Sequence, residues 1–191
     1  MDQPNVDYIS YEEFGRRFIE HAVTAERVRG ALDDLAGSSF QFGPIGAGPG
    51  RIAKISADVD LGDIEVTRYV LDEITFELVI PIKVHLVIDL ALDVHRFDVD
   101  GNVHVGLRVR TAAPLRVIVD VEPSKKKDVR IDVSPQTIRG GLLRIVASVD
   151  QEIKRFVVKY INNEIEKPHI QAARDIDVAA RIDSAWAHQQ S

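Results

Sequence analysis

The chain contains no cysteine, which excludes disulfides, thiolate metal sites and cysteine nucleophiles together. It also lacks a basic excess: 24 lysines and arginines stand against 30 aspartates and glutamates, a formal net charge of -6. Binding to a phosphate backbone needs a concentrated positive surface, so nucleic acid is not an expected partner. No uninterrupted apolar run reaches the roughly eighteen residues of a membrane-crossing helix. The opening Met1, Asp2, Gln3, Pro4, Asn5 has neither the basic region nor the apolar segment of a secretory signal, so the cytoplasm is the expected compartment. Internal repeats and low-complexity tracts are absent too. No serine lies in a G-x-S-x-G elbow, and H-E-x-x-H does not occur. The chain therefore reads as a non-enzyme, with no catalytic residue, metal site or cofactor.

With 191 residues, 45% of them hydrophobic and 28% charged, the composition is that of a soluble globular protein with a real core. It reads as one domain, 1–191, with its core over about 10–168 and a short C-terminal helix or tail over 169–191.

The strongest pattern lies in the middle. From Ile74 to Val94 every even position is apolar, while the odd positions include Thr75, Glu77, Lys83, His85, Asp89 and Asp93. Strict alternation marks a strand with one buried face. Twenty-one residues would span about 70 Å at full extension, whereas a domain of this size has a radius of gyration of about 16 Å. The strand must curl, and Pro81 offers a place for the bend.

Around it the expected elements fall in order. Ser10 and Glu13 form a capping-box pattern, followed by an apolar stripe of Phe14, Phe18, Ala22, Ala25, Val28, Leu32 and Leu35 on a long helix ending near Gly37. A loop rich in glycine spans Phe40 to Gly50. Ala53, Ile55, Ala57, Val59 and Leu61 alternate as a strand, with Ile64 and Val66 continuing after a turn at Gly62. The long ribbon is expected to turn at Asp100 and Gly101, a favoured hairpin dipeptide. A bulge near His95 and Arg96 would keep Phe97 and Val99 inward. Val103 to Val109, Leu115 to Val121 and Val129 to Val133 complete five or six strands, antiparallel because their connections are short. Ser134 and Pro135 suggest a helix start weakened by Gly140 and Gly141. A second long stripe, Leu142, Val146, Val149, Ile153, Phe156, Tyr160 and Ile161, runs toward Pro168, and Ile176, Ala179, Ile182 and Trp186 mark a short amphipathic helix.

Chemistry is sparse. The glycine stretch follows a helix and opens a strand, the reverse of a phosphate loop, and reads as a connector. His85, Asp89, Asp93 and His95 are placed on one outward face, but four residues along a strand is about 13 Å, beyond one metal ion's reach; a loose His95 and His104 site stays open beside a solvated sheet face. Lys125, Lys126 and Lys127 read as a solvated turn or as a loop touching anionic lipid headgroups. Asp58 and Asp60 sit outward as solubilising charges.

A long helix, a loop rich in glycine and proline, amphipathic antiparallel strands including one very long one, then a long C-terminal helix: from Tyr11 to Pro168 that order resembles the tubular lipid-binding superfamily. The intracellular lipid-transfer type, or a bacterial relative, is the closer comparison. The resemblance implies an α+β fold in which a strongly curved antiparallel sheet wraps two long helices around a hydrophobic tunnel. Its lining would be Phe14, Phe18, Ile74, Phe76, Leu78, Ile80, Val84, Leu86, Ile88, Val105, Leu107, Ile153, Phe156 and Tyr160. The ligand implied is a fatty acid, a phospholipid or another apolar small molecule, with transient membrane contact; a homodimer is compatible. The alternative is an interaction module whose apolar concavity is filled by its own core or by a partner protein.

Overall fold

In the computed structural model, which describes residues 6–47, 49–132 and 142–188, the chain is α+β and built on one strongly curled antiparallel sheet, a half-barrel. The sheet has eight strands rather than five or six: β1 (Ser39–Ala47), β2 (Ala53–Leu61), β3 (Glu65–Val70), β4 (Ile74–Asp89), β5 (Val94–Ala112), β6 (Arg116–Val121), β7 (Val129–Asp132) and β8 (Asp175–Asp177). The described helices are α1 (Tyr11–Ala22), α2 (Ala25–Gly30), α3 (Leu142–Ile165), α4 (Pro168–Arg174) and α5 (Val178–His188).

The frame is the hairpin of β4 and β5, paired without a break from Thr75 and Arg108 to Asp89 and Val94. Each long strand is flanked by two shorter ones laid end to end, β3 and β2 along β4, β6 and β7 along β5. β1 adds outside β2, and β8 outside β6. The break between β2 and β3 has a cause in Pro81. The Gly62 N–H donates to the Pro81 carbonyl at 2.8 Å. Because an antiparallel residue directs its N–H and C=O toward the same neighbour, the amide that proline lacks falls on the gap in the flanking strand. Across the gap the buried parity changes from odd (Ile55, Val59, Leu61) to even (Ile64).

The expected turn at Asp100 and Gly101 is wrong; the chain reverses at residues 90–93. Asp89 Oδ1 accepts the Ala91 N–H at 2.8 Å, the Leu90 N–H donates to the Asp93 carbonyl at 2.9 Å, and Ala91 takes φ +68°. An Asx turn thus ends the strand although Leu90 and Leu92 continue its alternation, and Leu92 stands fully exposed at the tip. Asp100 and Gly101 lie in mid-strand instead. A Cβ on Gly101 would stand 2.6 Å from the Arg130 carbonyl oxygen, so this glycine admits the close approach of β7 rather than a turn. In the true register Phe97 pairs with Leu86 and Val99 with Val84, and no bulge near His95 is present. His95 pairs with Ile88, on the inward parity of β5, not outside with His85 and Asp89. The supposed loop from Phe40 is mostly β1, followed by a single 3-10 turn, Pro49–Arg51.

The expectation of two long wrapped helices is also corrected. The N-terminal helix breaks after Ala22. Ser10 caps α1 as read, its Oγ accepting the Glu13 N–H at 3.1 Å, but Thr24 starts α2 with a cap of its own, accepting the Arg27 N–H at 3.3 Å. The β-branched pair Val23 and Thr24 disfavours helix continuation, and the threonine hydroxyl supplies the competing bond. α1 buries none of its residues. Among the described residues the one long helix is α3, with 24 residues. Its Val149, Ile153, Val157, Ile161 and Ile165, spaced by four, are all buried in the same core as the inner sheet face, each worth about 1.5–3 kcal/mol of burial. On the β1 side Phe42 stacks on Phe156 at 4.6 Å and Phe40 on Tyr160 at 4.1 Å. Toward β7, Asn162 exchanges two hydrogen bonds with the Ser124 backbone, at 2.9 and 3.1 Å. The C-terminal amphipathic segment is α4, β8 and α5 rather than one helix. The expected helix start at Ser134, Pro135, Gly140 and Gly141, with Val133, lies outside the described residues, as does the Val146 side chain.

Candidate functional site

The core is not filled everywhere. Where α2, α4 and the end of α3 meet the sheet, a cavity of about 120 Å³ remains. Its walls are Val23, Val28, Leu32 and Leu35 from the N-terminal segment, Leu78 and Ile80 of β4, Val105 and Leu107 of β5, and Val119 and Val121 of β6. Ile161 and Ile165 of α3, with Ile170 and Ile176, close it. A dry apolar cavity of about 150 Å³ accepts benzene, so this one has room for a few carbon atoms. Its charged lining residues are Arg27 and Arg174, and among the described residues no carboxylate, histidine or hydroxyl lines it.

Beside it lies an open groove of about 850 Å³, bounded by Tyr11, Phe14, Phe18 and Ile19 of α1, by the β5–β6 turn from Thr111 to Val117, and by Val178 and Ile182. That volume is in the range of small-molecule sites, about 300–1,000 Å³. Three stretches of chain carry the lining from cavity to groove: Val23 and Ala22 to Ile19 and Phe18, Val119 to Val117 and Leu115, and Ile176 to Val178 and Ile182. Several of the groove's apolar residues are open to solvent, Phe14 by 61% and Leu115 by 55%. Around it the arginines are paired. Arg16 bonds Glu13 and Glu20 at 2.8 Å, Arg17 bonds Glu13, and Arg116 bonds Asp175. Hydrogen bonds from Arg16 and Arg17 hold the Glu13 carboxyl below its ordinary range, and Asp175 pushes the Arg116 guanidinium upward.

The residues expected to line a tunnel are divided among four places. Leu78, Ile80, Val105 and Leu107 border the cavity. Ile74, Phe76, Val84, Leu86, Ile88 and Ile153 are buried in the core away from it. Phe156 and Tyr160 are stacked on Phe42 and Phe40, and Phe14 and Phe18 face the groove, with ring centroids 6.4 Å apart. Missing from that expectation are Val28, Leu32 and Leu35, Val119 and Val121, and Ile161, although each lay on a stripe or alternation visible in sequence.

Other candidate chemistry does not assemble. His85 Nδ1 lies 2.7 Å from Asp98 and its Nε2 lies 3.3 Å from Asp60, on the outer face, where Asp98 raises its pKa. His104 pairs with Glu77 at 3.0 Å across the same face. Among the described residues no three acidic or histidine side chains converge as a metal site. Lys125, Lys126 and Lys127 are exposed around a one-turn 3-10 helix, where Asp128 accepts the Lys125 N–H at 2.8 Å.

The fold and site define an α+β half-barrel with an apolar cavity and an apolar groove lined from neighbouring stretches of chain. No protein-family model matches the sequence, and no curated protein matches it. Among the described residues, no helix is long and apolar enough to cross a membrane.

Proposed function

We propose that this protein binds, and passes on, an elongated apolar ligand such as a fatty acid or phospholipid, as a non-enzymatic carrier of the tubular lipid-binding kind working in the cytoplasm. The observation that carries the reading is the junction of cavity and groove: 17 of the 19 residues around the cavity are aliphatic, and their line extends into the groove along three separate stretches of chain. Apolar enclosure with few polar groups is what ligand sites provide. A self-filled core would leave no such opening, and α1, which buries no residue, leaves the groove accessible. The absence of acids, histidines and hydroxyls from the cavity lining favours binding over catalysis.

The test is mass spectrometry of organic extracts from the purified protein, with titration of a fluorescent acyl probe. Co-purified lipid or saturable probe binding is expected. No lipid in the extracts and no probe binding would sink the reading in favour of the interaction module.

A further inference from the structure

The chain is acidic, with 30 acidic against 24 basic side chains, yet the lining of its cavity reverses that sign. The charged groups there are Arg27 of α2 and Arg174 at the end of α4. Both are held by backbone carbonyls rather than by acids. Arg27 Nη1 donates to the carbonyls of His21 and Ala22 at 3.1 and 2.7 Å, and Arg174 Nε donates to the Val119 carbonyl at 2.9 Å. Among the described residues neither pairs with a carboxylate, in contrast to Arg16 and Arg116 at the groove. A guanidinium has five N–H donors, so each retains donors for a further acceptor. These bonds also tether the two side chains beside the cavity, Arg174 half-buried and Arg27 exposed, and a guanidinium–carboxylate pair is a charge-assisted bond.

We propose that the ligand is an anionic single-chain amphiphile of the fatty-acid class, its carboxylate held by Arg27 and Arg174 at the cavity and its tail running on along the apolar groove. This rests on the ligand-binding reading and deepens it. A void of about 120 Å³ is too small for two chains side by side, and two unneutralised cations at an otherwise aliphatic wall select a negative head.

The experiment compares laurate with dodecanol, equal in chain length and different in charge, as competitors of the neutral fluorescent probe N-phenyl-1-naphthylamine, well above the carboxylate pKa. In the wild type laurate is expected to displace the probe at a concentration at least about tenfold lower than dodecanol, equivalent to about 1.4 kcal/mol. Arg174→Gln and Arg27→Gln should erase that preference without weakening dodecanol, while Arg174→Lys, which keeps the charge, should retain most of it. A melting curve confirms that each variant folds, and Arg174→Gln with Arg174→Lys decides the matter if loss of the Arg27 bonds unfolds its variant. Equal displacement by laurate and dodecanol, or a preference untouched by both glutamine variants, overturns the charge assignment and leaves ligand binding standing. A probe that does not bind at all overturns ligand binding, and this proposal with it.

Discussion

Val105 and Val103 offer a paired test of whether the cavity is a functional space. They are neighbours on the inward face of β5 and both are buried, but only Val105 borders the void of about 120 Å³. An empty cavity costs about 24 cal/mol per Å³, so the whole void represents about 3 kcal/mol, and a larger side chain that fills half of it recovers about 1.5 kcal/mol. Against that stands overpacking, about 1–3 kcal/mol in a filled core. Val105→Phe is therefore expected to come out near neutral, while Val103→Phe, with no void to grow into, meets the full penalty. For a domain of this size 1 kcal/mol moves the melting temperature by about 2–4 °C. Thermal melting and acyl-probe titration of both variants check this. Val105→Phe should keep its melting temperature and lose most probe binding; Val103→Phe should melt lower and, where still folded, bind as the wild type does. Equal destabilisation of the two, with binding unchanged in Val105→Phe, would refute the cavity as a ligand space.

The raised pKa of His85 sets a sign: its pairing stabilises the fold below the unfolded value of about 6.5, and that contribution is lost as pH rises through the folded value. Melting of wild type and His85→Gln across the neutral range should thus show the larger gap on the acid side; a gap growing toward alkaline pH would contradict the pairing with Asp98. Gly43, at φ +95° with its would-be Cβ 2.3 Å from the Ile55 carbonyl oxygen, should not tolerate alanine: Gly43→Ala is expected to cost more than about 3 kcal/mol, and wild-type urea stability would contradict the β1 geometry. A bound ligand at one hundred times its Kd contributes about 2.7 kcal/mol to states that bind it. Amide exchange in α1 should then slow by about a hundredfold if its opening breaks the groove, and unchanged exchange there would place the ligand elsewhere.

Much of the frame was legible because one-sided burial leaves a period of two. Every even residue from Ile74 to Ile88 is buried, as the alternation implied, and the α3 stripe at Val149, Ile153 and Ile161 faces the core. The turn was not legible, because Leu90 and Leu92 preserve the alternation past the point where the Asp89 side chain ends the strand. Asp100 and Gly101 misled for the converse reason: the dipeptide that suits a hairpin also suits a strand crowded by its neighbour's backbone. Likewise Ala22, Ala25 and Val28 carry an apolar stripe across the junction of α1 and α2, so periodicity alone conceals the cap at Thr24.

The site lies where those local signals compete. Leu78 and Leu86 are indistinguishable in sequence, both inward on β4 and both buried; only Leu78 borders the cavity. The distinction comes from what covers each part of the sheet. A continuous helix of 24 residues presents one buried side chain per turn and packs closely, whereas the cavity is roofed by α2 with six residues, α4 with seven and the end of α3. Short helices offer no long ridge to interdigitate with their neighbours, and the residues around the gap they leave are aliphatic apart from Arg27 and Arg174. The break at Thr24 that shortens the first helix therefore does more than end α1. It lets α2 lie against β3 while Phe14 and Phe18 on α1 stay uncovered, so the threonine that interrupts the helical pattern lies between the residues that line the cavity and those that line the groove.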